Sequence, residues 1–302
     1  MAIVAGGICQ LRHPPAPGHV IALPAVGAHF HARFGFDRSI LSQWGLWASR
    51  AARFDFGDSF LYNRAVNSLV PRAALNTGVL AIAALVIATL VGIPLGIFTG
   101  SSRSGVLTLC IRAVSLAGVS LPPLLTSLPL VFLAARTGWL PTGGMSSVQS
   151  LDVTWGAWLA DVAWHLPLPA LALALPIAAT FERLQAQSME EAVRQPFLTA
   201  AVARGVPRVR LIARHAWPIS LRPICAVFGI AVGALLSGSF VVEFVTAWPG
   251  LGRLMYEALR ARDVYLVAGC AATGAFFLAL GTLVGDLLLA AVDPRVSEGH
   301  QA

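Results

Sequence analysis

Cysteine and histidine are the residue types here that could bind a metal or react as nucleophiles. The four cysteines are widely separated and form no Cys-x-x-Cys pair: Cys9, Cys110, Cys225 and Cys270. This spacing favours apolar packing over metal or redox chemistry. His29 and His31 form a His-x-His pair, but two histidines without further ligands are more typical of a solvated loop than of a metal site. The sequence therefore predicts no bound metal.

Two polar groups lie inside apolar stretches, and each has a functional and a structural interpretation. Ser239, in the run Ser237-Gly238-Ser239, could act in an intramembrane hydrolase if His165 lay at the same depth. Small residues in a span more often permit close helix packing. Asp286 is an interfacial group in the simpler interpretation and a transport residue in the other, because intramembrane charges are often functional.

The basic residues exclude a further class of chemistry. All 21 of them are arginine, and the chain contains no lysine. A P-loop needs its lysine against the nucleotide phosphates, and Schiff-base catalysis needs a lysine amine. The chain is therefore expected not to hydrolyse nucleotide at a Walker-type site of its own. It is also expected to bind no cofactor itself and not to be an enzyme.

Apolar helices must position these groups. The chain is 57% hydrophobic and 12% charged, far from the composition of soluble domains. Five uncharged stretches of at least 20 residues can each cross a bilayer about 30 Å thick. They lie between Arg72 and Arg103, Arg112 and Arg136, Asp161 and Glu182, Arg222 and Glu243, and Asp263 and Asp286. The sequence predicts an all-α polytopic transmembrane helix bundle over residues 73–295. It also predicts an extramembrane segment over 1–72, with short helices from residue 10, and a short tail over 296–302.

The arginines indicate the orientation of the spans. With five spans, the 103–112 and 182–222 loops and the C-terminal tail share one side and carry ten arginines, against four in the loops at 136–161 and 243–263. An excess of arginine in short loops marks the cytoplasmic side. The 182–222 loop is therefore expected to face the cytoplasm, although the arginine-rich segment before Arg72 points the other way.

The 182–222 loop has the local signals of a helical hairpin. Proline suits the first position of a helix, so Pro196 after Gln195 predicts a helix start, and Gly205 with Pro207 beyond it predicts a stop. A second helix is expected from about Pro207. Small residues and a rim of arginines would make this hairpin a docking element for another protein. The alternative is a basic loop that only sets topology.

The run Thr199-Ala-Ala-Val-Ala-Arg204-Gly205 resembles the EAA loop of ABC-importer permeases, in particular those of the dipeptide/oligopeptide/nickel family. The similarity to that family covers about residues 14–295. Five further stretches match the family in order and spacing: Gly35 to Arg38, Asp55 to Phe60, Gly138 to Gly144, Trp248 to Gly252 and Asp293 to Arg295. This sequence departs from the family pattern at Pro196, where an acidic residue is usual, and at Arg222-Pro223.

The resemblance implies a type I ABC importer permease-like fold in the bacterial cytoplasmic (inner) membrane. It implies as partners separate ABC ATPase subunits that use ATP, a second homologous permease, an extracytoplasmic solute-binding protein and membrane lipid, with no nucleic acid. By resemblance, the ATPase-coupling contact would be made by Glu191, Thr199, Ala200, Ala201, Arg204 and Gly205. The outer-loop motif would comprise Trp139, Pro141, Gly144, Pro249, Gly250 and Gly252.

The family has an additional N-terminal span before its outer region. Residues 1–9 are apolar but too short to cross a membrane, so the family's first span is expected to be missing or truncated, or the start to lie upstream. The function expected is a permease subunit that moves peptides or a similar binding-protein-delivered solute. The alternative is an ion-coupled secondary transporter acting without an ATPase, which the absence of Asp, Glu, Lys and Arg within the five uncharged stretches disfavours.

Overall fold

The computed structural model describes residues 39–102, 105–147 and 154–292, and its regular structure is helical. The helices are α1 (Ile40–Ala51), α2 (Val66–Ser101), α3 (Val106–Ser120), α4 (Pro123–Thr137), α5 (Trp155–His165), α6 (Pro167–Val193), α7 (Pro196–Ala203), α8 (Arg208–Leu211), α9 (Trp217–Ser220), α10 (Arg222–Val245), α11 (Leu251–Ala261) and α12 (Val264–Val292). Predictions on Cys9, on the His29/His31 pair, on residues 1–9 and 35–38, on Asp293 to Arg295 and on the tail lie outside the described residues.

Helices α2, α6, α10 and α12 are each long and apolar enough to cross a membrane, and α3 with α4 makes a fifth if the pair is one span. The expected all-α polytopic bundle is therefore confirmed. Helix α2 begins at Val66, so it extends into the segment expected to be extramembrane. Proline at the first position of α6 separates it from α5, and the stretch from Asp161 to Glu182 is divided between these two helices.

The stretch from Arg112 to Arg136 is not one straight helix, which corrects the expectation of a simple span. Helices α3 and α4 meet at an angle of 110°. The cause is local: Leu121 and Pro122 are extended, and Pro123 begins α4. Proline has no N–H to donate, and it disfavours helical geometry in the residue before it. Two successive prolines therefore end α3 although the stretch is apolar throughout.

The described residues divide into two compact units, one drawn from the ranges 1–69 and 258–269 and the other from the ranges 70–257 and 270–302. In the described part of the first unit, the Asp263 side chain is fully buried. Its carboxylate accepts hydrogen bonds from the Ser59 hydroxyl at 2.6 Å and the Leu61 N–H at 3.0 Å. These bonds attach the turn after the Asp55 to Phe60 motif to the N-terminus of α12.

Glycines bring α2 and α6 into close contact in the second unit. Gly92, Gly96 and Gly100 recur at every fourth position of α2, on one face, and each lies directly against α6. A Cβ atom at Gly96 would lie 2.5 Å from the Gln185 Cβ and from the Glu182 carbonyl oxygen. Small residues at this spacing let two membrane helices approach backbone to backbone. We call these three glycines the glycine seam.

Candidate functional site

The hairpin expected in the 182–222 loop is present. Helix α7 begins at Pro196 after an extended Gln195, and Gly205 turns the chain with a φ of +78°. Helix α8 follows at Arg208. Gly205 adopts the left-handed conformation that glycine reaches without a steric penalty, so the glycine is required by the geometry of this turn.

One face of α7 packs into the protein. Leu198 and Ala201 are buried in an apolar cluster with Met189 and Ala192 of α6 and with Leu211 of α8. Ala201, which the resemblance places in the coupling contact, is thus turned inward. Glu191, Thr199, Ala200, Arg204 and Gly205 are exposed.

Three large apolar side chains of the hairpin are exposed. Phe197 is 47% exposed, Val202 58% and Val209 79%. Four arginines on the hairpin are exposed as well: Arg204, Arg208, Arg210 and Arg214. Exposed apolar and aromatic side chains together with arginines are typical of protein–protein contact surfaces. This arrangement favours the docking interpretation of the hairpin over a loop that only sets topology.

Arginines fasten the hairpin to the C-terminus of α2. The Arg112 guanidinium of α3 donates to the Thr99 carbonyl oxygen at 3.1 Å, and the Arg208 guanidinium of α8 donates to that of Ser101. Cationic groups near the last carbonyls of a helix satisfy acceptors that have no intrahelical partner. Glu190 lies 3.6 Å from Arg112. A cavity of about 780 Å³ opens between the α2–α3 connection and the hairpin.

Helices α6 and α7 are closely connected at this end. Helix α6 ends at Val193, and α7 starts three residues later at Pro196. Arg194 between them is held by Glu190, with 2.6 Å between the guanidinium and the carboxylate. Because α6 packs along the glycine seam and α7 follows it after two residues, α7 is linked through α6 to α2.

The structure also joins the two motifs expected in the outer loops. The Gly144 N–H donates to the Thr246 carbonyl oxygen at 2.8 Å, and a Cβ atom at Gly143 would lie 2.7 Å from that same oxygen. The Gly138–Gly144 motif therefore rests on the turn that contains Trp248 to Gly252. Trp139 is 74% exposed, Pro249 is exposed and Pro141 half-buried, whereas Gly250 and Gly252 are buried.

Two carboxylates treated as span boundaries are buried inside the bundle. Glu182 of α6 accepts a hydrogen bond from the Thr99 hydroxyl at 2.5 Å, and Glu243 of α10 accepts one from the Thr77 hydroxyl at 2.6 Å. Both glutamates are at most 1% exposed. In the sequence, Glu182 and Glu243 served only to mark where two uncharged stretches end, so their burial was not predicted. One sequence feature could have identified Glu243. It is an acidic residue shortly before a glycine-containing turn and the start of a new helix, and a carboxylate there can accept hydrogen bonds from the free N–H groups of the helix.

Ser239 and His165, the pair considered for hydrolysis, have hydrogen-bond partners within their own helices. The Ser239 hydroxyl donates to the Leu236 carbonyl oxygen of its own helix at 2.9 Å, and neighbouring Gly238 packs against Pro123 and Leu173. The His165 Nδ1 atom lies 2.8 Å from the Asp161 carbonyl oxygen. Asp286 is exposed on the surface of α12. Among the described residues, no group of three or more His, Cys, Asp or Glu side chains could hold a metal ion.

Residues 92–298 match the family described as binding-protein-dependent transport system inner membrane component. The chain is 32% identical over 277 residues to a peptide transport system permease protein of Brucella suis biovar 1, covering 91% of this chain and 86% of that one. It is 28% identical over 269 residues to the oligopeptide transport system permease protein AppB of Bacillus subtilis, covering 88% and 84%.

Among solved structures, the chain is similar to one from the MetNI methionine ABC transporter in an inward-facing conformation. The TM-score is 0.57 at 17% identity, and the match covers 74% of this chain and 96% of that one. At this identity the likeness concerns the fold alone. It agrees with the expected type I importer permease fold.

Proposed function

Because the chain belongs to the family of binding-protein-dependent transport system inner membrane components, we propose that it forms the pathway for peptides, or a similarly delivered solute, through a bacterial inner membrane. The chain is a multi-pass membrane protein and a permease component of that family. Relatives over most of its length are named peptide or oligopeptide permeases. This agreement of names among relatives carries the proposal of a peptide substrate.

ATP is hydrolysed in a separate ATPase subunit, to which the α7 hairpin docks. The exposed apolar side chains of Phe197, Val202 and Val209, together with the exposed arginines of the hairpin, support this assignment. The chain has no lysine for a P-loop, so the energy must reach it through contact. Movement of α7 passes to α6 and across the glycine seam to α2, which opens the bundle alternately to the two sides.

On the outer side, the paired loops 138–147 and 246–252 receive the solute-binding protein, and a second, similar permease completes the pathway. Only 6% of the apolar part of α12 is buried, which leaves a long apolar surface for that subunit or for lipid. The alternative of an ion-coupled transporter working alone gains no support from the family match.

Reconstitution tests the function directly. The chain, its ATPase, a second permease and a binding protein from the same genome are placed in liposomes, and uptake of labelled di- and oligopeptides is measured. ATP-dependent uptake that requires all components is expected. Uptake that follows an imposed ion gradient without the ATPase would instead establish the alternative.

A cysteine placed at Ala200 is expected to cross-link to the ATPase subunit. The test starts from a chain in which the four native cysteines are replaced. A bifunctional thiol reagent is added, and the cross-linked product is identified by mass spectrometry. Ala200 is exposed on α7, whereas Trp155 is comparably exposed at the start of α5 on the side expected to be outer. Trp155→Cys is the matched control, and it should give no ATPase adduct. Equal cross-linking of both variants, or of neither in an assembled complex, would contradict the proposed docking face.

A further inference from the structure

Glu243 is a buried charge that the transport scheme above does not use. Its side chain is fully enclosed at the C-terminal end of α10. One carboxylate oxygen, Oε1, accepts the Thr77 hydroxyl of α2 at 2.6 Å. The other, Oε2, accepts the backbone N–H groups of Gly252 and Arg253 at 2.7 and 3.2 Å. A single carboxylate therefore holds together α10, α2 and the first turn of α11.

Thr77 completes the same arrangement from the opposite side. Its hydroxyl donates to Glu243 and accepts from the Leu251 N–H at 2.8 Å. The first N–H groups of a helix have no intrahelical partner, and a carboxylate is favourable near their positive end of the helix dipole. With Gly252 and Arg253 bound to Glu243, three successive N–H groups at the start of α11 are satisfied by Thr77 and Glu243 together.

The turn before α11 is fixed by the same region of α2. The Asn76 side-chain amide donates to the Pro249 carbonyl oxygen at 2.8 Å, and the buried Trp248 indole N–H donates to the Asn76 carbonyl oxygen at 3.1 Å. Gly250 and Gly252 lie so close to the Glu243 carboxylate that a Cβ atom at either position would overlap it. The two glycines of the Trp248–Gly252 motif therefore leave room for the Glu243 carboxylate because they have no side chain.

The 246–252 turn also contacts the 138–147 loop. Thr246 follows α10 directly, and its carbonyl oxygen receives the Gly144 N–H at 2.8 Å. The Arg253 guanidinium also donates to the Ala247 carbonyl oxygen at 2.8 Å. The position of the 138–147 loop thus depends on a turn that is itself held by Glu243 and Thr77.

We propose that Glu243 is a positioning residue that, with Thr77, holds the 246–252 turn and the 138–147 loop in the arrangement onto which the solute-binding protein docks. The inference rests on the proposed function of these loops. The partner would touch exposed side chains such as Trp139 and Pro249. Glu243, being fully buried, acts only by placing them.

The test compares Thr77→Val with two controls in the reconstituted importer. Valine keeps the shape of threonine but removes the hydroxyl that both donates to Glu243 and accepts from Leu251. Thr77→Ser restores the hydroxyl. Thr89→Val removes a hydroxyl from the same helix whose bond, to the Leu85 carbonyl oxygen, stays within that helix.

The measured quantities are the concentration of solute-loaded binding protein at half-maximal stimulation of ATP hydrolysis, and the maximal rate. Thr77→Val should raise the half-maximal concentration about tenfold, the size expected when about 1.4 kcal/mol of buried hydrogen bonding is lost. This rise should exceed any change in the maximal rate, whereas the two controls should stay within about twofold of the wild type. A drop in maximal rate alone, or no change, would overturn the proposal.

Glu243→Gln and the double variant show whether the two residues act through one arrangement. The two single effects should not add fully, because Thr77→Val removes bonds to Glu243 and Leu251 while Glu243→Gln replaces one acceptor oxygen of the same hydrogen-bonded cluster by an NH2 donor. Fully additive effects would count against the inference. If these variants do not assemble, Asn76→Ala provides the test, because it removes only the partly exposed hydrogen bond to the Pro249 carbonyl oxygen. A half-maximal concentration of binding protein equal to that of the wild type would then overturn the proposal. A wild-type complex that no binding protein stimulates would instead refute the proposed function.

Discussion

Replacing Gly205 by valine is expected to abolish solute uptake and stimulation of ATP hydrolysis while the chain still inserts into the membrane. Gly205 has a φ of +78°, and no other atom lies within 4 Å of the position a Cβ atom would take. The penalty is thus one of backbone conformation, about 1–2 kcal/mol for an ordinary L-residue and more for a β-branched one.

This strain acts on a turn rather than on the core of the bundle. The Gly205 N–H donates to the Val202 carbonyl oxygen at 2.9 Å, and the Val206 N–H donates to that of Ala201 at 3.2 Å. A valine that leaves the left-handed region breaks this closure and displaces α7 from the position in which, by the proposed function, its exposed face would meet the ATPase. The spans do not depend on the turn, so insertion and yield should stay near the wild-type values.

Gly205→Asn is the matched control, because asparagine tolerates the left-handed conformation far better than valine. Uptake and ATP hydrolysis are measured in proteoliposomes, with membrane yield measured in parallel. Asparagine should retain most of the activity that valine loses. Normal uptake by Gly205→Val would remove the coupling role from this turn, and equal loss in both variants would mean that the glycine is needed for something other than its conformation.

Replacing Gly96 by valine is expected to lower the stability of the helix bundle. A Cβ atom there would lie 2.5 Å from the Gln185 Cβ and from the backbone oxygen of Glu182, so α2 and α6 would have to separate. Overpacking of this kind costs about 1–3 kcal/mol. Separation would also weaken the 2.5 Å bond from Thr99 to Glu182, whose Oε2 atom already has no hydrogen-bond partner.

The measurement is thermal unfolding of the purified chain in mild detergent, together with the yield of monodisperse protein. Gly96→Ala should give a smaller loss of the same kind. Gly274→Ala in α12 is the control, because no atom lies within 4 Å of its Cβ position, and it should unfold at the wild-type temperature. A Gly96→Val chain as stable as this control would show that the glycine seam is not a close helix contact.

The spans and the α7 hairpin could be predicted from local sequence. An apolar run of 20 residues has few stable conformations in a membrane other than a helix, so the uncharged stretches alone placed α2, α10 and α12. Pro196 and Gly205 act through their own φ angles, and the start of α7 and its terminal turn followed from them. The glycine seam was also visible, as Gly92, Gly96 and Gly100 at every fourth residue, but only a partner helix makes that spacing meaningful.

Other features depended on residues far apart in the chain. The apolar character of the stretch from Arg112 to Arg136 concealed the bend at Pro122. Ala201 looked equivalent to Ala200 in sequence, yet only Ala201 packs against α6 and α8. Glu243 looked like the boundary of a span, because its partners Thr77 and Gly252 come from other helices.

The sequence by itself determined the membrane location, the helical class, the hairpin and the absence of a lysine-dependent nucleotide site. These follow from residue type, from short-range periodicity and from single φ preferences, which act without regard to the rest of the chain. The tertiary structure alone decided which face of α7 is exposed and which two loops meet. It also decided where Glu182 and Glu243 are buried. A buried carboxylate is stable only where donors converge on it, and that convergence exists only once the helices have packed.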